Sequence, residues 1–195
     1  RFVLVVDTDT REILSFSITD EKTGEVPQFE RLTREALENA GVGAGARGEK
    51  PGQAAGRAPR DGGTKVAMRA DGGFDSHRIF DLCANLGITP YIRVGPNSAT
   101  RSRGVGRART NVVLDQLGGG IRDPREFAML TADEKEANRR KWKERVRYGE
   151  RWLVEIVISS FKRLFGDFVR AVRWENVVQE MNLKVHIYNR MLTMA

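Results

Sequence analysis

The sequence predicts an α/β protein, on three observations. Its start alternates like a β-hairpin, residues 65–94 read as strand, helix, strand, and residues 131–194 carry long helical periodicity. The chain has 195 residues, of which 40% are hydrophobic and 30% charged. That is enough apolar material for the core of one domain of ordinary size, so a disordered chain is excluded.

Residues 2–7, FVLVVD, read as a strand, TDTREI as a turn and ILSFSIT as the returning strand. PQFERLTREALEN, 27–39, has helical spacing through Phe29, Leu32 and Leu37. Residues 41–64 are dominated by Gly, Ala and Pro without any hydrophobic period, and are expected to be a flexible surface insert. No Gly-Lys-Ser/Thr follows the glycines, so they are no phosphate-binding loop.

KVAMRAD, 65–71, reads as a strand ending on Asp71. Helix HRIFDLCANLG, 77–87, follows, with Asp75 and Ser76 as cap candidates and Gly87 as its stop. ITPYIRV, 88–94, is the next strand, placed at an edge by Pro90. From Leu82 to Leu114 there is no acidic residue, while Arg93, Arg101, Arg103, Arg107 and Arg109 fall within it. With Gly95, Gly104 and Gly106 in it, part of this stretch reads as a basic loop, either solvated or in contact with phosphates. Thr131 and Glu134 have capping-box spacing and open a helix expected to run through Phe165 with a break near Gly149. The last helix packs Val177, Met181, Val185, Tyr188 and Leu192.

There are 33 Lys plus Arg against 26 Asp plus Glu, a formal net charge of +7, which favours a polyanionic partner. Cys83 is the single cysteine, which excludes an internal disulfide and a cysteine-based zinc site; it reads as a small core hydrophobe. Two histidines, His77 and His186, are too few for a histidine-rich metal site. No apolar run approaches the ~18 residues of a membrane span, and no signal peptide is visible, so a cytoplasmic location is expected. The abrupt start at Arg1 on a strand leads to the expectation that the chain begins inside a longer protein.

The stretch YGERWLVEIVISSFKR, 148–163, sets Glu155 among Trp, Leu, Val and Ile. On a continuous helix Tyr148, Arg151, Glu155 and Lys162 fall within roughly 60° of one another, with Ser159 on the same stripe. Two readings follow from this spacing. In one, Arg151 and Glu155 form an i, i+4 ion pair on the surface. In the other the stripe is an active-site face, with Glu155 as a metal ligand, Arg151 and Lys162 on phosphate oxygens, and Tyr148 on the substrate. Asp71, at a strand end before a Gly-Gly turn, is either a cap or the second carboxylate. One strand carboxylate and one helix carboxylate together suit a hard divalent cation. Trp142 and Trp152 are read either as base-stacking or as packing residues.

Three stretches then resemble the DDE transposases of insertion sequences, of the IS4/IS5 type. ADGGFDS, 70–76, resembles the motif around the second aspartate. YGERWLVEIVISSFKRLFGD, 148–167, carries Tyr, two residues, Arg, three residues, Glu, six residues, Lys. NVVQEMNLKVHIYN resembles the helix that closes the domain, and LGITPYIRVGPNS the strand after the second Asp. The resemblance implies one RNase H-like catalytic domain over 1–195, a mixed sheet flanked by helices. It implies two Mg²⁺ or Mn²⁺ ions held by an Asp, Asp, Glu triad, acting on double-stranded DNA at transposon ends and target. Asp71 and Glu155 would be metal ligands, and Tyr148, Arg151 and Lys162 supporting residues; a homodimer would hold two ends. The first Asp of the triad is expected upstream of this chain, along with the N-terminal DNA-binding region; Asp7, and less so Asp9, are the alternatives within it. Besides cleavage and strand transfer, the expected functions are a non-catalytic DNA-binding remnant or a nuclease of the same fold.

Overall fold

The computed structural model describes residues 2–19, 26–42, 66–95 and 106–194. In chain order the elements are β1 (Phe2–Val6), β2 (Ile13–Ile18), α1 (Val26–Asn39), β3 (Ala67–Ala70), α2 (His77–Asn85), β4 (Thr89–Ile92), α3 (Arg107–Leu117), α4 (Pro124–Met129), α5 (Ala132–Arg145), α6 (Leu153–Phe165) and α7 (Trp174–Leu192). Short 3₁₀ turns span Gly72–Phe74 and Tyr148–Trp152. The class is α/β, with antiparallel and parallel strand pairs flanked by helices, as expected. The chain forms two compact units: Arg1–Gly52 with Trp152–Ala195, and Gln53–Arg151. Most of the glycine-rich insert, from 43 onward, lies outside the described residues, as do Arg101 and Arg103.

In the first unit β1 and β2 pair antiparallel, Phe2 opposite Ile18 and Leu4 opposite Phe16. Asp7 builds the turn between them: its Oδ1 accepts from the N–H groups of Asp9 (2.8 Å) and Thr10 (2.9 Å). Arg11 completes the turn in the left-handed region at φ 64°. Ile13 is buried with Val157 and Phe161 of α6 and Met181, Val185 and Tyr188 of α7, and Phe2, Leu4 and Phe16 pack against them. Asn189 of α7 clasps Ile13 on both sides, its Oδ1 accepting from the N–H and its Nδ2 donating to the carbonyl, each at 2.9 Å. Helix α1 lies over small residues of β2; buried Ser15 donates its hydroxyl to the Leu32 carbonyl at 2.7 Å.

In the second unit β3 and β4 are parallel, Ala67 opposite Thr89 and Ala70 opposite Ile92, with α2 crossing between them. Ser76 caps α2 through the Ile79 N–H, and Gly87 ends it at φ +69°. Phe80, Cys83, Ile92, Val113 and Leu117 are buried. Gln116 of α3 is fully buried and treats β4 as a further strand would. Its Oε1 accepts from the Val94 N–H at 3.1 Å and its Nε2 donates to the Ile92 carbonyl at 2.5 Å. Two helices were not read from the sequence. α3 occupies part of the stretch expected as a basic loop, and α4 starts on Pro124 after the capping Asp123.

The helix expected through Phe165 with a break near Gly149 is interrupted around that residue. α5 opens on the Thr131–Glu134 capping box but stops at Arg145. Arg147 at φ 52° reverses the chain into the 3₁₀ turn at Tyr148, and helix resumes only at Leu153. Trp142 is buried rather than available for stacking, and its indole N–H donates to Asp115 at 3.1 Å. Trp152 is about half exposed. Among the described residues no helix is long and apolar enough to cross a membrane.

Candidate functional site

The second unit gathers three of the expected site residues around the end of β3. Asp71 follows the strand directly and caps the 3₁₀ turn, its Oδ1 accepting from the Gly72 N–H at 2.8 Å. The carboxylate is otherwise open to solvent, its side chain 68% exposed. The glycine that follows allows a close approach: a Cβ on Gly72 would stand 3.1 Å from the Arg93 carbonyl oxygen, a tight contact. Tyr148 donates its hydroxyl to the carbonyl of Ala70, the residue before Asp71, at 2.9 Å. Its ring is buried against Trp142, with centroids 5.2 Å apart. That burial raises the phenol pKa. The nearby Arg151 charge, the Arg93 N–H and the Arg93 charge pull the other way, and Asp71 raises it further. Arg151 brings its Nη1 to 3.8 Å from Asp71 Oδ1.

This geometry replaces the continuous helical stripe. Tyr148 and Arg151 belong to the 3₁₀ turn, not to the helix of Glu155, so the i, i+4 pairing of Arg151 with Glu155 loses its basis; Arg151 lies against Asp71 instead. Asp75 does not cap α2, which Ser76 does. Arg109 donates to both its oxygens, at 2.8 and 3.0 Å, and the Gly95 N–H adds a third bond at 3.1 Å. Arg109 is therefore held in an internal ion pair, while Arg93 and Arg107 are exposed.

In the first unit Glu155 lies on the first turn of α6 and is exposed. Ser159 and Lys162 are exposed on the same face, while Val157 and Phe161 are buried on the other. The apolar setting of Glu155 in the sequence is thus a matter of neighbours along the chain, not in space. Lys162 pairs with Asp167 at 3.3 Å, both solvent-exposed. Asp7 is committed to its turn through Oδ1.

Asp71 and Glu155 have the oxygen chemistry that a hard cation takes. Among the described residues, however, no group of three or more His, Cys, Asp or Glu side chains is placed to hold a metal ion. The described donors fit such an ion in kind and fall short of it in number.

Sequence reasoning missed two residues that build the site. Arg69, on β3, donates Nε and Nη2 to the Val146 carbonyl at 3.2 and 3.0 Å and pairs with Glu150 at 3.2 Å. Nothing in the spacing of Arg69 or Glu150 marks them, because their partners are about 80 positions away along the chain and meet only in the fold.

The family model described as the transposase DDE domain matches residues 1–190. No curated protein and no solved structure gives a significant match.

Proposed function

Since the chain belongs to the transposase DDE-domain family, we propose that it binds double-stranded DNA through the phosphate backbone and does not by itself cut it. One observation carries this reading. The residues of the motif that would meet phosphates, Arg151 and Lys162, stand at least partly open to solvent, while the described carboxylates form no group of three. Arg93, Arg140, Lys141 and Arg147 are exposed as well. Their contribution is sequence-independent and depends on salt.

A second reading is metal-dependent cleavage and strand transfer at insertion-sequence ends, or cleavage alone, with Mg²⁺ or Mn²⁺ at Asp71 and Glu155. It is favoured by the placement of Tyr148 and Arg151 beside Asp71. Such ions would supply activation of the attacking oxygen and stabilisation of the leaving one. Either activity would be carried by a homodimer holding two DNA ends, which light scattering with and without DNA would test.

The deciding experiment incubates the chain with labelled duplex carrying transposon ends, with Mg²⁺ or Mn²⁺, beside Glu155→Ala and Asp71→Ala. The expected result is salt-sensitive binding by all three with no strand cut above the metal-free background. Cleavage by the unaltered chain that both substitutions abolish would establish the second reading in its place.

A further inference from the structure

Arg69, on β3, stands two residues before Asp71. Its guanidinium grips the chain on both sides of Tyr148. On one side it holds the carbonyl of Val146, the capping residue of α5 and one of those that a helix end leaves without an intrahelical partner. On the other side it holds Glu150, directly before Arg151. The Tyr91 ring lies under the guanidinium at 5.6 Å. Glu150 also takes Arg147 at 2.5 Å, and the Glu150 N–H donates to the Arg147 carbonyl at 2.9 Å. Arg69 and Glu150 are both largely shielded, their side chains 16% and 22% exposed, so their bond is a fixed feature rather than a loose surface pair.

We infer that Arg69 and Glu150 are positioning residues, which together set the Tyr148 hydroxyl and the Arg151 guanidinium against the Asp71 end of β3. The turn needs such a hold because Arg147 enters it in the left-handed region, a conformation an arginine adopts at a cost. The fork of Arg69 satisfies two acceptors of the turn at once, which a lysine in its place would not do.

The inference rests on the proposed DNA reading for one consequence only, and that consequence has a diagnostic sign. Removing a negative charge from a basic surface strengthens phosphate binding by simple electrostatics. If Glu150 acts by placing Arg151, its removal weakens binding instead. The test uses the whole chain with Glu150→Gln, which is isosteric and partly exposed, and with Arg69→Met and Arg69→Lys, each checked by thermal melting. Chains labelled with ¹³Cζ-tyrosine report the Tyr148 hydroxyl bond at neutral pH, with the signal assigned through Tyr148→Phe. The Tyr148 signal is expected to move towards that of free tyrosine in all three variants, while that of Tyr188, in the other unit, stays. Affinity for a short duplex at fixed salt is expected to fall roughly threefold or more in Glu150→Gln, the scale of one misplaced phosphate contact. An unmoved Tyr148 signal in Glu150→Gln overturns the inference whatever the DNA result. A moved signal with unchanged or tighter binding overturns its link to Arg151 and DNA. Absence of salt-sensitive binding by the unaltered chain refutes the proposed function instead, and the Tyr148 signal still decides the positioning role.

Discussion

Glu180 of α7 illustrates how one side chain can hold a loop. Its carboxylate accepts from the N–H groups of Arg170, at 3.2 and 3.0 Å to its two oxygens, and of Ala171 at 2.9 Å, and it pairs with Lys184 at 2.7 Å. The Lys184 bond first, and then the backbone donors, lower its pKa from 4.5 to about 2. A carboxylate depressed in the folded state stabilises fully above its unfolded value, and that contribution fades as pH falls through the folded one. Glu180→Gln is therefore expected to melt below the unaltered chain at neutral pH. The gap should close between about pH 4.5 and 2. A gap independent of pH in thermal melts would show that the carboxylate charge is not what holds the loop. Cys83 behaves in the opposite way, its thiol pushed up to about 11 by burial. It is expected to react with thiol reagents only as the chain unfolds, which a comparison of labelling rates with and without denaturant measures.

At the scale of elements, the end of β4 is braced by three side chains. Gln116 serves the Ile92 carbonyl and Val94 N–H, Asp75 the Gly95 N–H, and buried Arg139 the Val94 and Gly95 carbonyls, each at 3.4 Å. Arg93, whose carbonyl would crowd a side chain at Gly72 beside Asp71, sits inside this brace. Gln116→Leu keeps the volume and strands two buried backbone groups. At about 1–3 kcal/mol each, the expected loss is about 2–6 kcal/mol, read from urea unfolding. A loss below about 0.5 kcal/mol would mean that water or a shifted backbone replaces the amide. The same elements show what could be read beforehand. The hairpin, the strand–helix–strand unit, the capping box of α5 and the closing helix were legible because alternation, helical period and cap chemistry are local. Helix α3 was not, because its arginines and flanking glycines look like loop, and its burial depends on α2 and α5 packing against it.

At the scale of the whole molecule, the net charge of +7 and family membership both lead to phosphates. Log affinity for duplex DNA is expected to fall linearly with log salt, by about 0.9 for each phosphate contacted. Asp71→Ala is expected to leave that affinity unchanged or slightly tighter, since it removes the carboxylate beside Arg151. A salt-independent affinity would remove the phosphate contacts from the account. The sequence by itself determined the α/β class, the family, and the identities of Asp71, Tyr148, Arg151, Glu155 and Lys162 as residues of interest. Those are properties of residue type and spacing, which survive in one dimension. Only the tertiary structure decided that Tyr148 and Arg151 leave the helix, that Asp75 and Arg109 serve each other, and that Arg69 and Glu150 hold the turn beside Asp71. Such pairings join residues tens of positions apart, and no local propensity encodes which distant carbonyl or carboxylate a side chain will meet.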